Sequence, residues 1–318
     1  MTEPELGDLL RRADPAAHVR DRRGPAEIAE AVREIVASPR VDSSGGRTRR
    51  WPWIALPSAA ALVALVLLVV PILTPCLASR AATPPLLAIS PTSRSLGAVM
   101  DQALAQLERL ATGDPRRGAT FEGWYLQTDV ESTASSTSPQ RHVLTWRDDL
   151  SGELTVTAGE PFGDAEPAGP APGSVLVSER YAAGEAPIVF RAPPPAGTRE
   201  LRAYLAEARG EEVPDAVGYL SAMRTLLSEW RLTTADHATL LRILRSSEGV
   251  EVAGDVTDRL GRPGTALRIT SPRDPHFEYL AVISRETGAL IAIETVYLGG
   301  LAELAAPAPC VVDYIAWT

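Results

Sequence analysis

The pattern of apolar positions is uninterrupted in one stretch, Trp53–Thr74, and no charged residue lies between Arg50 and Arg80. About 20 apolar residues at 1.5 Å rise per residue cover roughly the 30 Å of a bilayer's hydrocarbon core. A helix of this length in a water-soluble domain usually carries a polar stripe. The pattern therefore predicts a single transmembrane helix over Trp53–Thr74.

Arginines flank this stretch unequally, because Arg47, Arg49 and Arg50 precede it whereas Arg80 is the nearest that follows. Basic residues collect on the cytoplasmic side of a span. The sequence therefore predicts a cell-membrane protein with a cytoplasmic N-terminus and a large extracytoplasmic C-terminal domain. Two alternatives stay open at this point, a buried core helix and a lipoprotein signal that ends at Cys76.

The predicted span divides the chain into four segments. Residues 1–50 are a cytoplasmic segment, residues 53–74 the transmembrane helix, residues 76–93 a proline-rich stalk and residues 94–318 the extracytoplasmic domain. The last segment is long enough to bury a core of its own.

Two short helices are predicted within residues 1–50, and the second has an apolar face. Ile28, Val32 and Ile35 recur there at helical spacing. Short helices of this kind bury little against each other. The segment is therefore either a tail that orients the span or a helix that docks in the groove of a cytoplasmic partner.

After the stalk, the apolar spacing predicts one long amphipathic helix and then a block of three helices inserted between two groups of strands. The motif Thr233-x-x-Asp236 fits a helix-capping signature. The predicted helices are Arg94–Ala111, Thr198–Arg209, Val213–Arg231 and Thr233–Ser246.

The remaining pattern is typical of antiparallel strands, with a hairpin around Arg285–Gly288. The predicted strands are Phe121–Asp129, Arg141–Arg147, Gly152–Ala158, Val175–Arg180, Pro187–Arg191, Gly249–Asp255, Gly264–Thr270, Phe277–Ser284, Ala289–Leu298 and Cys310–Trp317. The predicted fold class is α+β: a single transmembrane helix followed by an antiparallel sheet, open to closure as a half-barrel, with a long N-terminal helix and an inserted helical layer.

The charge composition excludes one class of partner. All 31 basic residues are arginine, the chain has 40 acidic residues, and the net charge is −9. The excess of acidic residues lies after the predicted span. Nonspecific nucleic-acid binding needs a clustered basic surface, so no nucleic-acid partner is expected.

The two cysteines, Cys76 and Cys310, both fall on the predicted outer side, where disulfides persist. A bridge between them would close a very long loop and stabilise the fold. Two unpaired thiols are the alternative, and the sequence leaves both open.

No motif for catalysis, metal binding or cofactor binding stands out. The four histidines, His18, His142, His237 and His276, have no ligand-type spacing to other donors, and none of the common hydrolase or phosphate-binding patterns occurs. We therefore expect no enzyme activity, no metal and no cofactor. A sheet with helices on one face can instead enclose an apolar groove for a lipid or peptide.

Several segments are similar to a known family. The matching segments are LLRRADP at residues 9–15, Pro194–Leu205, Gly249–Ile269 and Tyr279–Glu294. The chain resembles an anti-sigma-factor-like family of actinobacterial single-pass membrane proteins, often associated with extracytoplasmic-function sigma factors. Residues 1–50 depart from zinc-binding anti-sigma factors because they lack the H-x-x-x-C-x-x-C motif.

The resemblance implies a regulator whose outer domain senses or binds an envelope component and whose residues 1–50 engage a sigma factor. The alternative is a membrane-tethered carrier or binding module for a lipid or lipopeptide. The expected partners are the membrane, a cytoplasmic sigma factor, and an envelope lipid or peptide ligand.

Overall fold

The computed structural model describes residues 83–110, 113–126, 139–162, 170–210, 214–301, 304 and 306–318. These residues belong to one unit of the chain, Val70–Thr318. The predicted cytoplasmic segment 1–50 and the predicted span Trp53–Thr74 lie outside the described residues.

Four helices occur in the described ranges, and hydrogen-bonding side chains fix the start of three of them. The Ser95 hydroxyl accepts from the amide of Ala98, and Asp215 accepts from the amide of Gly218. The capping box predicted at Thr233 and Asp236 is confirmed. The helices are α1 (Leu96–Arg109), α2 (Thr198–Arg209), α3 (Ala216–Glu229) and α4 (Thr234–Arg245).

The strands form a nine-stranded antiparallel sheet and a separate two-stranded ladder. The small ladder pairs β1 (Arg116–Arg117) with β6 (Trp230–Arg231). The strands of the large sheet are β2 (Ala119–Tyr125), β3 (Gln140–Trp146), β4 (Gly152–Ala158), β5 (Val175–Tyr181), β7 (Val250–Thr257), β8 (Pro263–Ile269), β9 (Phe277–Ser284), β10 (Leu290–Tyr297) and β11 (Cys310–Trp317).

The strand order of the large sheet is β5-β4-β3-β2-β11-β10-β9-β8-β7. Two meanders, β2 to β5 and β7 to β10, are therefore joined by the last strand, β11, which pairs with β2 on one side and β10 on the other. This pairing brings residues near 120 next to residues near 315. The helical block lies between the two meanders in sequence.

The four helices pack on one face of the sheet, and this interface contains the main core. The strands contribute alternate apolar residues to this core, such as Leu267, Ile293 and Ile315. Their spacing has the period of two that is expected for one face of a sheet. The helices contribute fully buried residues to the same core, such as Met223 and Leu241. The helical layer therefore covers mainly the β7–β11 half of this face.

The second face is covered in part by the chain segment that leads into α1. Leu87 and Ile89 pack there against a small apolar cluster that includes Val282 and Ala292. The Ser90 amide donates to the Asp255 carbonyl at 2.8 Å, and the Asp255 amide donates back at the same distance. The described part of the predicted stalk thus extends the sheet next to β7.

The fold class and the membrane location predicted from the sequence are not supported and are corrected. No helix in the described ranges is long and apolar enough to cross a membrane. The longest, α1 and α3, have 14 residues each and extend only about 21 Å at 1.5 Å per residue. Instead of a spanning helix followed by a half-barrel, the described chain is a broad nine-stranded antiparallel sheet with four helices.

Two predicted elements differ because hydrogen bonds to distant parts of the chain replace the expected pattern. The predicted strand Pro187–Arg191 is irregular, because the amides of Val189 and Phe190 donate to the Glu229 carboxylate instead of to a neighbouring strand. The predicted helix ending at Arg231 instead stops at Glu229, because Trp230 is extended and pairs with Arg117.

Candidate functional site

A cleft of about 480 Å³ lies between α3 and the helix-facing side of β2, β3 and β4. The helices leave this part of the sheet face only partly covered. We call it the α3 cleft. Its lining residues are Phe121, His142, Leu144, Leu154, Tyr181, Pro187, Ile188, Ser221, Arg224, Thr225, Ser228 and Glu229.

The floor of the α3 cleft is built from cross-strand pairs on one face of the sheet. Phe121 of β2 lies opposite His142 of β3, and Leu144 of β3 lies opposite Leu154 of β4. The Phe121 and His142 rings stack with centroids 4.6 Å apart and planes 9° apart. Since Phe121, Leu144 and Leu154 are only half-buried, the floor presents apolar surface to the cleft.

The opposite wall is a row of hydroxyl groups on α3. Ser221, Thr225 and Ser228 lie four and three positions apart, which places them on one side of the helix. The Thr225 hydroxyl donates to the Ser221 carbonyl at 3.3 Å, and the Ser228 hydroxyl donates to the Arg224 carbonyl at 2.8 Å. Because the Thr225 and Ser228 protons go to the helix backbone, these two hydroxyl oxygens are available to the cleft as acceptors. The Ser221 hydroxyl oxygen already accepts from Arg209 at 3.3 Å.

An ion pair links α3 to β11 at the cleft. The Arg224 guanidinium bonds both carboxylate oxygens of Asp313, with Nη2 donating to Oδ1 at 2.8 Å. Bidentate pairs of this kind fix orientation as well as charge. The cleft therefore contains a guanidinium whose charge is already balanced.

The Glu229 carboxylate fixes the segment that forms the outer rim. It accepts from the amide of Val189 at 2.9 Å and from the amide of Phe190 at 2.8 Å. Burial raises the pKa of Glu229, while the two amide hydrogen bonds act in the opposite direction. Pro187 and Ile188 of the rim are thus tied to the end of α3.

Replacing Glu229 with glutamine tests this role. The amide group of glutamine keeps one acceptor but turns a donor toward the second backbone amide. We expect Glu229→Gln to lower the free energy of unfolding by about 1–3 kcal/mol. Denaturant unfolding measures this, and Glu179→Gln on the exposed strand β5 serves as the control, with a change expected within about 0.5 kcal/mol. Equal stability of the Glu229→Gln variant and the parent would contradict the role.

The titratable groups of the floor are neutral at pH 7. Burial lowers the pKa of His142 below its ordinary value. Burial and the neighbouring Glu179 raise the pKa of Tyr181 to about 12. The floor is therefore uncharged, and the charged lining residues Arg224 and Glu229 both have partners.

His237 lies outside the α3 cleft and gives a testable pH dependence. Burial lowers its pKa from the ordinary 6.5 to about 4. The unfolded chain therefore takes up this proton as the pH falls through 6.5, whereas the folded chain takes it up only near 4, so stability is lost over this interval. The loss between about pH 7 and pH 5 amounts to about 2 kcal/mol.

Unfolding curves at these two pH values, compared between the parent and His237→Gln, measure that contribution. We expect the variant to lose about 2 kcal/mol less than the parent on acidification. An identical loss in both proteins would assign the pH dependence to other groups.

The residues singled out in the sequence fall in different places. Cys310 is buried at the start of β11 and has no disulfide partner among the described residues, and burial raises the pKa of its thiol. Cys76 lies outside the described residues, so the disulfide stays a prediction. The apolar face of Ile28, Val32 and Ile35 also lies outside them, as does His18.

The remaining sequence candidates are structural in the described chain. The Nδ1 atom of His276 lies 2.8 Å from the Gly299 carbonyl. Trp146 and Trp230 are buried in edge contact, with ring centroids 5.1 Å apart, so they pack in the core. Within the ranges that the structure covers, no group of acidic, histidine and cysteine side chains could hold a metal ion.

The sequence did not identify the residues of the α3 cleft. His142 has no ligand-type spacing in the sequence, and the spacing that predicts α3 does not single out its hydroxyl row. The only available signal was the break of apolar spacing at Ser221, Thr225 and Ser228 in an otherwise apolar helix. That break marks a helix face outside the core, but not the strand that it faces.

No family model matches the chain, and no curated protein matches it. The resemblance to anti-sigma-like proteins and the cytoplasmic sigma-factor partner therefore stay predictions. The geometry of the α3 cleft is the observation that points to a function.

Proposed function

We propose that the domain is a binding module for an amphipathic small molecule with an aliphatic chain. The observation that supports this is the half-buried apolar floor of the α3 cleft, which faces a row of hydroxyl oxygens. The chain of the ligand lies on Phe121, Leu144 and Leu154, and its polar group lies at the hydroxyl row.

The size and composition of the α3 cleft fit such a ligand. Its volume of about 480 Å³ is within the range of roughly 300–1,000 Å³ that is common for small-molecule sites. Such sites combine a mostly apolar lining with a few polar groups that set orientation. The hydroxyl oxygens of Thr225 and Ser228 supply acceptors for a donor on the ligand, and the Arg224 guanidinium supplies a donor.

The charge balance favours a chain with a small polar head over a multiply charged ligand. The guanidinium of Arg224 is already paired with Asp313, and the floor is neutral at pH 7. A carboxylate or a phosphate would have to be desolvated without a free counter-charge among the lining residues. Fatty alcohols, which carry a neutral group that can donate to the hydroxyl oxygens, therefore fit better than fatty acids or phosphorylated metabolites.

A fluorescence titration tests the proposal on the full chain. The probe N-phenyl-1-naphthylamine becomes bright in apolar sites, and dodecanoic acid or dodecanol should displace it with a single-site curve. Both competitors are expected to bind, because the chain contributes most of the affinity. Dodecanol should bind more tightly than dodecanoic acid, because the carboxylate finds no free counter-charge in the cleft. Absence of probe binding, or binding that neither competitor displaces, would overturn the proposal.

A pair of neighbouring substitutions localises the binding. Leu154→Glu places a charge on the cleft floor, whereas Thr155→Glu places the same charge on the other sheet face. We expect Leu154→Glu to weaken dodecanol binding at least about tenfold, since an unpaired carboxylate must be buried. Thr155→Glu should stay within about twofold of the parent. Equal effects of the two substitutions would place the ligand elsewhere.

A further inference from the structure

A second cavity, of about 250 Å³, lies on the same side of the sheet as the helices but among different residues. Residues of α3, α4, β2, β10 and β11 line it, and among the described residues it shares none with the α3 cleft. We call it the Trp317 cavity. Its volume suits a molecule with a single ring rather than a long chain.

Most of the lining of the Trp317 cavity is apolar. Leu227 and Trp230 come from the end of α3 and the residue after it, Leu232 from the turn before α4, and Leu290 and Ile291 from β10. A preformed apolar cavity of this kind can bind a ring by contact alone. Specificity then depends on the polar atoms that lie at its wall.

Two nitrogen atoms of side chains on the wall are buried without a hydrogen-bond partner in the part of the chain that the structure describes. They are Nε1 of Trp317, whose side chain is 8 % exposed, and Nδ1 of His237. Buried polar atoms are nearly always paired in native proteins. An indole N–H only donates, whereas an imidazole nitrogen accepts or donates according to its tautomer.

The buried charge at the wall is already balanced, and the other charged lining residue, Arg231, is exposed to solvent. The Arg262 guanidinium donates to Asp258 Oδ2 at 2.6 Å and to the Ile291 carbonyl at 3.1 Å. Asp258 is buried, so this ion pair belongs to the fold. The cavity therefore suits an uncharged ligand with one polar group.

We infer that the Trp317 cavity binds a small uncharged ring molecule that carries a hydroxyl group, in the chemical class of phenols and cyclic alcohols. The hydroxyl oxygen accepts from the Trp317 indole, and the hydroxyl proton is available to His237 Nδ1. The ring contacts the leucine and isoleucine side chains. This inference does not depend on the function proposed for the α3 cleft.

Phenol and toluene are the matched probes, because they have the same shape and differ only in a hydroxyl group. The indole N–H signals of the six tryptophans are followed by heteronuclear NMR on the full chain, and Trp317→Phe identifies the signal of Trp317. We expect phenol to shift that signal along a single-site curve. Toluene should bind at least about tenfold more weakly, since it leaves the indole donor unpaired.

Two variants separate this site from the α3 cleft and from general solvent effects. Leu154→Glu should leave the phenol shift of Trp317 unchanged, and His237→Phe should reduce the difference between phenol and toluene. A Trp317 signal that does not move with phenol would overturn the inference, because water alone then pairs the indole. An equal response to phenol and toluene would overturn it as well, even if the His237→Phe variant fails to fold.

Discussion

Replacing Arg259 with leucine is expected to lower the free energy of unfolding by about 3–5 kcal/mol. Arg259 donates from Nε and Nη2 to the two carboxylate oxygens of Glu294, at 2.8 and 2.9 Å. The Glu294 side chain is only 1 % exposed and that of Arg259 is 9 % exposed. Without the guanidinium, a buried carboxylate loses its counter-charge while its desolvation cost stays.

The same guanidinium contacts two further residues of the second sheet face, Pro85 and Tyr314. Its Nη2 donates to the Pro85 carbonyl at 2.7 Å, and its carbon lies 5.3 Å from the centre of the Tyr314 ring. The Tyr314 hydroxyl in turn donates to Glu122 at 2.8 Å. The substitution therefore also loosens the segment that leads into α1.

A double variant provides the control for Arg259. Arg259→Leu combined with Glu294→Leu removes both charges, so we expect it to recover most of the lost stability. Denaturant unfolding of the two variants measures the difference. The single variant should also regain stability at lower pH, because Glu294 is then protonated in the folded state; its pKa is already raised by burial in the parent. Equal stability of the single and double variants would contradict a buried, uncompensated charge.

Replacing Trp230 with alanine is expected to cost about 3–5 kcal/mol of folding stability. Trp230 is 1 % exposed and meets Trp146 edge to face, with ring centroids 5.1 Å apart. Its Nε1 donates to the Phe190 carbonyl at 2.7 Å. Alanine leaves a large cavity between α3 and the sheet and an unpaired carbonyl at the rim of the α3 cleft.

The substitution Trp230→Phe separates the contribution of ring packing from that of the hydrogen bond to the Phe190 carbonyl. It keeps an aromatic ring against Trp146 but removes the indole donor to Phe190, so a loss of about 1–2 kcal/mol is expected. Thermal or denaturant unfolding gives both values on the same scale. A loss for Trp230→Phe as large as that for Trp230→Ala would mean that the hydrogen bond, rather than ring packing, dominates at this position.

The sequence predicted elements well where local chemistry alone determines them. The hairpin around Arg285–Gly288 is present, and Phe277–Ser284 pairs with β10 (Leu290–Tyr297) as expected. The capping box at Thr233 is formed by residues three positions apart, so no distant contact is needed to recognise it. These elements depend on residues close together in the chain.

The sequence did not predict features that depend on distant contacts. The position of β11 between β2 and β10 joins residues about 190 positions apart, as in the pair Trp317 and Phe121. The end of α3 at Glu229 depends on pairing with Arg116–Arg117. The α3 cleft depends on both, because it lies where β2 to β4 extend beyond the main helical cover.

The single transmembrane helix predicted from hydropathy is not supported, because no helix in the described ranges is long and apolar enough to cross a membrane. The described helices are short and amphipathic, and they bury their apolar faces against the sheet.

Photo-crosslinking of the full chain with dodecanol that carries a diazirine on its aliphatic chain, followed by mapping of the labelled residues by mass spectrometry, tests the α3 cleft most directly. We expect saturable labelling on β3, β4 and α3, around Leu144, Leu154 and Thr225, which an excess of unlabelled dodecanol prevents. Labelling confined to the second sheet face around Leu87 and Ile89, or labelling that dodecanol does not prevent, would contradict the α3 cleft as the binding site.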